Sequence, residues 1–168
     1  MIMLIEVINI VLGFIVALVL HELGHLFAAR VCRLSVTEAG FGWGPGLYSI
    51  SVRNVNYVLR LVPLGAYVKM DMAGLQRRPL VQQLFILSAG IGVNLFFSAI
   101  AWGTPFGTIN LALTVCNLLP LYQQDGWKAG MVICRRLFGR PMPLVEWSFT
   151  IFGGLMGLFV LAHALTRF

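Results

Sequence analysis

His21-Glu22-Leu23-Gly24-His25 puts two imidazoles four residues apart with a carboxylate between them. On a helix, residues four apart lie on one face, one turn above the other. Imidazoles so placed can hold one Zn²⁺, and Glu22 can take a proton from water at the metal. In a water-soluble chain this pattern would suggest an ordinary metalloprotease. Here residues 2 to 20 are almost entirely apolar, and the run continues through Leu26-Phe27-Ala28-Ala29. Ionisable groups at bilayer depth are costly and rarely occur without a function. The motif therefore points to hydrolysis of a peptide bond within or beside the lipid.

The composition supports a membrane setting. Of 168 residues, 59% are hydrophobic and only 11% charged, against about 25% charged in a soluble domain. The length suits one membrane unit over residues 1–168. The expected fold class is a membrane all-α bundle of about four transmembrane helices, with a small membrane-associated β-hairpin or sheet after the first. The spans are predicted at about 2–29, 81–102, 105–121 and 147–163. The third is short for a bilayer that needs roughly 20 apolar residues, so it is expected inside the bundle. Trp102, Trp127 and Trp147 fall near span ends, as in an aromatic belt. Gly153, Gly154 and Gly157 read as close-packing positions.

Charge sets the orientation. Arg30, Arg33, Arg53, Arg60, Lys69, Arg77 and Arg78 lie between the first two spans, and Lys128, Arg135, Arg136 and Arg140 between the last two. Gly103-Thr104-Pro105, joining spans two and three, is uncharged. Both basic loops then face the cytoplasm and both termini face outward, with only Arg167 on that side. The net charge of +6 reads as topogenic loops at an anionic membrane surface, not as a nucleic-acid footprint. The expected location is the cytoplasmic membrane, crossed several times. His21 is nine residues before Arg30, so roughly 13 Å of helix separates it from the cytoplasmic boundary. Water must reach it through a polar cavity. Cys32, Cys116 and Cys134 show no metal or disulfide spacing and read as reduced packing residues. The N-terminus lacks the basic leader and cleavage site of a signal peptide.

Residues 41–70 do not read as a span. Phe41 to Gly46 is turn-rich, and Leu47–Val52 and Tyr57–Val62 are β-prone runs around Arg53-Asn54-Val55-Asn56, which predicts a hairpin at the membrane interface. A hydrolytic zinc site usually has a third protein ligand. His163 lies near the outer end of the last span, on the wrong side, and reads as interfacial. The carboxylates besides Glu22 are Glu6, Glu38, Asp71, Asp125 and Glu146. Asp125 follows Pro120 at the end of a span and returns to the half that holds His21 and His25. It is the expected third ligand.

At this point the chain resembles the site-2 protease family of intramembrane zinc metalloproteases, in its bacterial regulated-intramembrane-proteolysis branch. His21 to His25 match the family's H-E-x-x-H, and Asn117 to Gly126 its N-x-x-P-x-x-x-x-D-G. Gly42 to Leu47, Val62 to Met70, Ala89 to Asn94 and Gly139-Arg140-Pro141 resemble further family stretches, in order along most of the chain. The resemblance implies that His21, His25 and Asp125 ligate Zn²⁺ and that Glu22 is the general base and later proton donor. It implies that Asn94 and Asn117 bind the substrate backbone or the oxyanion. The hairpin would offer a strand edge to an unwound substrate helix. The substrate would be a single-span membrane protein cut near the cytoplasmic side, with the bilayer and a regulatory membrane partner as the other associations. Ile91 stands where the family has Pro, Gln124 where it has an apolar residue, and Ala66 where it has Gly. No PDZ insert fits between spans two and three. For Asn117 the residues suggest a second use, since Pro120 leaves nearby carbonyls free for an amide to bond. For Asn94 a plain helix-bridging amide is the alternative. For the chain as a whole the alternatives are an inactive membrane scaffold or chaperone of the same fold and, last, a metal transporter.

Overall fold

The computed structural model describes residues 2–139 and 143–165. The first helix, α1, runs Ile2–Val31 and carries the HELGH motif. Its first two-thirds is almost wholly apolar, Glu6 and Asn9 apart: Met3, Leu4, Ile5, Val7, Ile8, Val11 and Leu12 are exposed. An apolar helix that presents such side chains outward needs a non-aqueous surround. The helices Met3–Val31 and Leu80–Ile100 are long and apolar enough to cross a membrane. These features make the chain a membrane protein.

Six helices and a small sheet make up the described chain. After α1 come strands β1 (Val36–Val52) and β2 (Val55–Met70), then α2 (Met72–Gln76), α3 (Leu80–Ile100), α4 (Pro105–Leu118), α5 (Asp125–Phe138) and α6 (Pro143–Leu165). The helical, sheet-bearing plan is as expected, but four crossings are not established. At 14 residues, α4 rises only about 21 Å, less than a bilayer core of about 30 Å. Helices α2 and α5 were not anticipated. Arg140, Pro141 and Arg167 lie outside the described residues, as do the side chain of His163 and the surroundings of Gly157.

The hairpin forms as predicted but starts five residues earlier. Arg53 and Asn54 have φ of 49° and 64°, a two-residue turn whose twist suits adjoining strands. From it Val52↔Val55 to Gly46↔Arg60 pair antiparallel, and Val36↔Met70 to Phe41↔Ala66 pair at the far end. Glu38 to Phe41 also pair with Asn56 to Leu59. Each strand therefore bends, at Gly42 (φ 93°) in β1, and the ribbon folds back on itself. Ala66 to Met70 keep a strand partner on one side only. On the sheet, Glu38 accepts from the Tyr67 hydroxyl, Arg60 Nη2 at 3.2 Å and Lys69 Nζ at 3.2 Å. The Tyr67 hydroxyl, followed by the two cations, holds its carboxyl below the ordinary value.

The core lies where the motif end of α1 meets the sheet and α3: Ala28, Ala29, Leu34, Val36, Val55, Leu75, Ile86 and Leu87 are buried together. Arg78 ties this end down, donating to Cys32 O at 2.6 Å and Arg33 O at 2.8 Å, carbonyls left open where α1 stops. Helices α1 and α3 touch at backbone distance. A Cβ at position 24 would stand 2.8 Å from the Ala89 carbonyl oxygen and 2.8 Å from Val93 Cγ2. Gly24→Val should therefore push the helices apart and cost about 1–3 kcal/mol, the usual range for overpacking. Thermal unfolding in detergent should show a lowered midpoint, and a midpoint equal to wild type would contradict the contact.

Candidate metal centre

Residues 21 and 25 face α3 from one stripe of α1, as the four-residue spacing requires. The space they occupy exists because position 90 of α3 lacks a side chain. A Cβ there would stand 2.5 Å from His25 Nε2 and 2.6 Å from His21 Nε2. His25 Nδ1 donates to Ile86 O at 2.7 Å. That bond fixes the tautomer and leaves the Nε2 lone pair free for a metal, as the outer partners of metal-bound histidines do.

Asp125 reaches the same point from a segment a hundred residues away. Helix α4 stops at Leu118, and Leu119 turns to extended backbone ahead of Pro120, which cannot continue a helix. Helix α5 then begins at Asp125 itself. Gly126 lets this start lie against the end of α4, since a Cβ there would collide with the Leu118 carbonyl. Tyr122 and Trp127 pack edge to face at 5.3 Å. Gly153 of α6 packs against the backbone of Pro120 and Tyr122, whereas a Cβ on Gly154 would meet nothing within 4 Å. The close helix packing expected of this pair is thus replaced, at Gly153, by close packing on the loop between α4 and α5.

The result is a buried triad. Asp125 Oδ2 stands 2.9 Å from His21 Nε2 and 2.9 Å from His25 Nε2, and the two Nε2 atoms are 3.2 Å apart. His21, His25 and Asp125 are each 5% exposed or less, and they are the metal-capable cluster among the described residues. Zinc bonds of about 2.0–2.2 Å in a tetrahedron would set ligand atoms roughly 3.3–3.6 Å apart. The observed separations need only a few tenths of an ångström of side-chain adjustment. Two nitrogens and one carboxylate oxygen, with Nδ1 of His25 already engaged, are a donor set that fits a divalent metal.

Glu22 sits between two cavities. One, of about 460 Å³, is lined by Glu22, His25, Asp125, Lys69 and Lys128 together with apolar side chains. The other, of about 280 Å³, is almost wholly apolar and runs between α1 and the sheet, past Glu22, Leu23, Phe41, Tyr57 and Tyr67.

The remaining expected residues are placed differently. Asn117 is half-buried, and its Nδ2 donates to Leu113 O at 3.0 Å, one turn back in its own helix. The amide therefore does not serve a carbonyl freed by Pro120. Asn94 is completely buried, one turn beyond Gly90 on α3, and neither of its amide atoms has a hydrogen-bond partner. His21 Nδ1 is likewise buried and unpartnered. The sequence reading missed Lys128, whose Nζ lies 3.2 Å from Asp125 Oδ1. The signal was present: Trp127, Met131, Cys134 and Phe138 recur at helical spacing up to Gly139, whose φ of 66° closes α5. On that helix Lys128 falls one turn from Asp125. Cys32 and Cys134 are partly buried free thiols, whereas Cys116 is exposed, so the expected packing role does not extend to it.

Comparison with known proteins agrees with this site. The chain is 29% identical over 119 residues to "Putative zinc metalloprotease CPE1693" of Clostridium perfringens, covering 63% of this chain and 36% of that one. It is 31% identical over 136 residues to "Putative zinc metalloprotease CA_C1796" of Clostridium acetobutylicum, covering 74% and 40%. It is 33% identical over 93 residues to "Probable membrane metalloprotease ARASP2, chloroplastic" of Arabidopsis thaliana, covering 48% and 21%. The chain thus spans well under half the length of each of these relatives. Residues 9–106 match Peptidase family M50. That match holds the two histidines and Glu22 but stops short of Asp125, whose place is given by the geometry. With more than half of its length matched and its metal-capable residues converging, the chain belongs to Peptidase family M50.

Proposed function

We propose that this chain is the catalytic core of an intramembrane zinc endopeptidase that cuts a single-span membrane protein near the cytoplasmic face. The observation that carries the proposal is the convergence of Asp125 Oδ2 on both imidazole Nε2 atoms at 2.9 Å. His21, His25 and Asp125 would hold the ion. Zinc, when bound, would polarise the scissile carbonyl and make water at the site easier to deprotonate.

The chain's own residues supply the rest. Glu22 has no hydrogen-bond partner among the described residues, and it lines both cavities. It would take the proton of the attacking water and pass it to the leaving nitrogen. Ala66 to Met70 have an unpaired edge, and Val68, Lys69 and Met70 line the cavity that holds Glu22, His25 and Asp125. A substrate segment added along that edge would be extended, with its peptide bonds exposed beside the site. A helix hides those bonds, so local unwinding would precede the cut. The apolar cavity on the other side of Glu22 would take a large apolar side chain of the same segment. Asn117 would contribute its free Oδ1 to a substrate amide. The enclosure of Asn94 lends no support to a direct substrate contact there.

The topology proposed with this activity has both basic loops in the cytoplasm and four crossings of the cytoplasmic membrane. The site would lie beneath the inner surface, reached through the polar cavity. A regulatory membrane partner would control access.

Three outcomes test the reading. Glu22→Gln should keep stoichiometric zinc while cleavage of a model single-span substrate by the purified chain falls at least about 10²-fold; undiminished cleavage would remove the mechanism. Asp125→Ala should lose stoichiometric zinc by metal analysis, and full retention would take Asp125 out of the site. Gly90→Ala puts a methyl where the imidazole nitrogens stand. It should weaken zinc binding by about 1–3 kcal/mol, read by chelator competition.

A further inference from the structure

The two oxygens of Asp125 have different partners. Oδ2 faces both imidazole Nε2 atoms at 2.9 Å, whereas Oδ1 turns away to accept from Lys128 Nζ at 3.2 Å. Lys128 sits three residues on, in the first turn of α5, and its side chain is 36% exposed against 7% for that of Asp125. The ammonium thus closes the solvent side of a buried carboxylate. It also lines the polar cavity beside Glu22 and His25.

We infer that Lys128 is a positioning residue that keeps Asp125 a one-oxygen ligand and so holds a coordination position open for the substrate side of the site. This rests on the metal reading above. A carboxylate can bind a cation through one oxygen or through both. A hydrolytic zinc site has three protein ligands and leaves the next position to water or substrate. If Asp125 swung to offer both oxygens, the second would join the three protein donors and the water as a fifth and crowd the position the substrate needs. A charge-assisted bond to Oδ1 is stronger than one to a neutral donor and opposes the swing. An ordinary exposed ion pair of this spacing would contribute little to stability and would affect nothing at the metal.

The two readings differ in a measurable way. In the purified chain, stripped and reloaded with Co²⁺, Lys128→Met should weaken the visible absorption band, as four-coordinate cobalt gains a fifth donor. Zinc should be held at least as tightly as in wild type, by competition with a chromogenic chelator. Turnover of a model single-span substrate should fall about 10- to 100-fold, the usual effect of losing a partner behind a metal ligand, with KM little changed. Lys128→Arg, which keeps a cation on Oδ1, should restore both the band and the turnover. A Lys128→Met protein with the wild-type band and turnover would overturn the inference and leave a plain helix pair. So would one with weakened zinc binding, since that marks structural damage at Asp125. Lys128→Gln gives a second route should the methionine variant not fold: it should show the same loss of band intensity, and an unchanged band would also overturn the inference. Should wild type bind neither ion, the metal reading itself fails, and that result is distinct from the others.

Discussion

Two imidazole nitrogens and a carboxylate oxygen held about 3 Å apart cannot all present lone pairs to one another without something positive among them. A proton can bridge only one such pair at a time, whereas a divalent cation satisfies all three at once. Burial sharpens the requirement, because unpaired polar atoms out of water cost several kcal/mol. Much of the architecture serves to bring these three atoms together. It includes a glycine where a side chain would occupy the same space, a backbone carbonyl that orients one ring, and a helix that begins at the carboxylate.

The two imidazoles of the triad come at little conformational cost, since one helix supplies both at fixed spacing. The third is the difficult one. Asp125 must be delivered across 100 positions of sequence from His25, and the chain does so by breaking α4 early. Leu119 and Pro120 end that helix, and Gly126 lets the next one start in contact with the Leu118 carbonyl. A bulkier residue at 126 would lift α5 and take Asp125 with it. The D-G pair is thus one steric unit: the glycine sets the distance at which the aspartate acts.

Much of this was legible in the sequence, and the divisions are physical. The HELGH spacing specifies a shared helix face whatever surrounds it, so His21, Glu22 and His25 could be placed at once. The hairpin was readable from β-prone runs around Arg53-Asn54, because a two-residue turn is a local event. The bend that folds the ribbon back on itself was not, since it depends on pairing Glu38 to Phe41 with two segments at once. The third helix was drawn to Leu121 because composition stays apolar there; the backbone stops at Leu118, where Pro120 makes continuation impossible. Helix α5 was hidden by its charge. Lys128, Arg135 and Arg136 marked a cytoplasmic loop, and a loop assignment conceals the one-turn relation between Asp125 and Lys128. Gly90 stood within a stretch that resembles the family, but its steric role was not readable, because a missing side chain has meaning only once the opposing helix is known.

The sheet and the metal-capable triad belong to one design through Glu22. That residue faces the polar cavity with the ligands on one side and the apolar cavity under the sheet on the other. A helix alone could position the triad, but it would leave Glu22 without the polar and apolar cavities that the sheet helps to wall. The folded ribbon supplies a strand edge beside Glu22, and its own charges are paired internally through Glu38, Arg60, Tyr67 and Lys69. Pairing those charges within the sheet leaves the wall that faces α1 apolar, with Val58, Ala66 and Val68 lining it. An apolar wall and an unpaired backbone edge meet at one carboxylate, which is the arrangement the proposed function needs to hold an extended peptide segment.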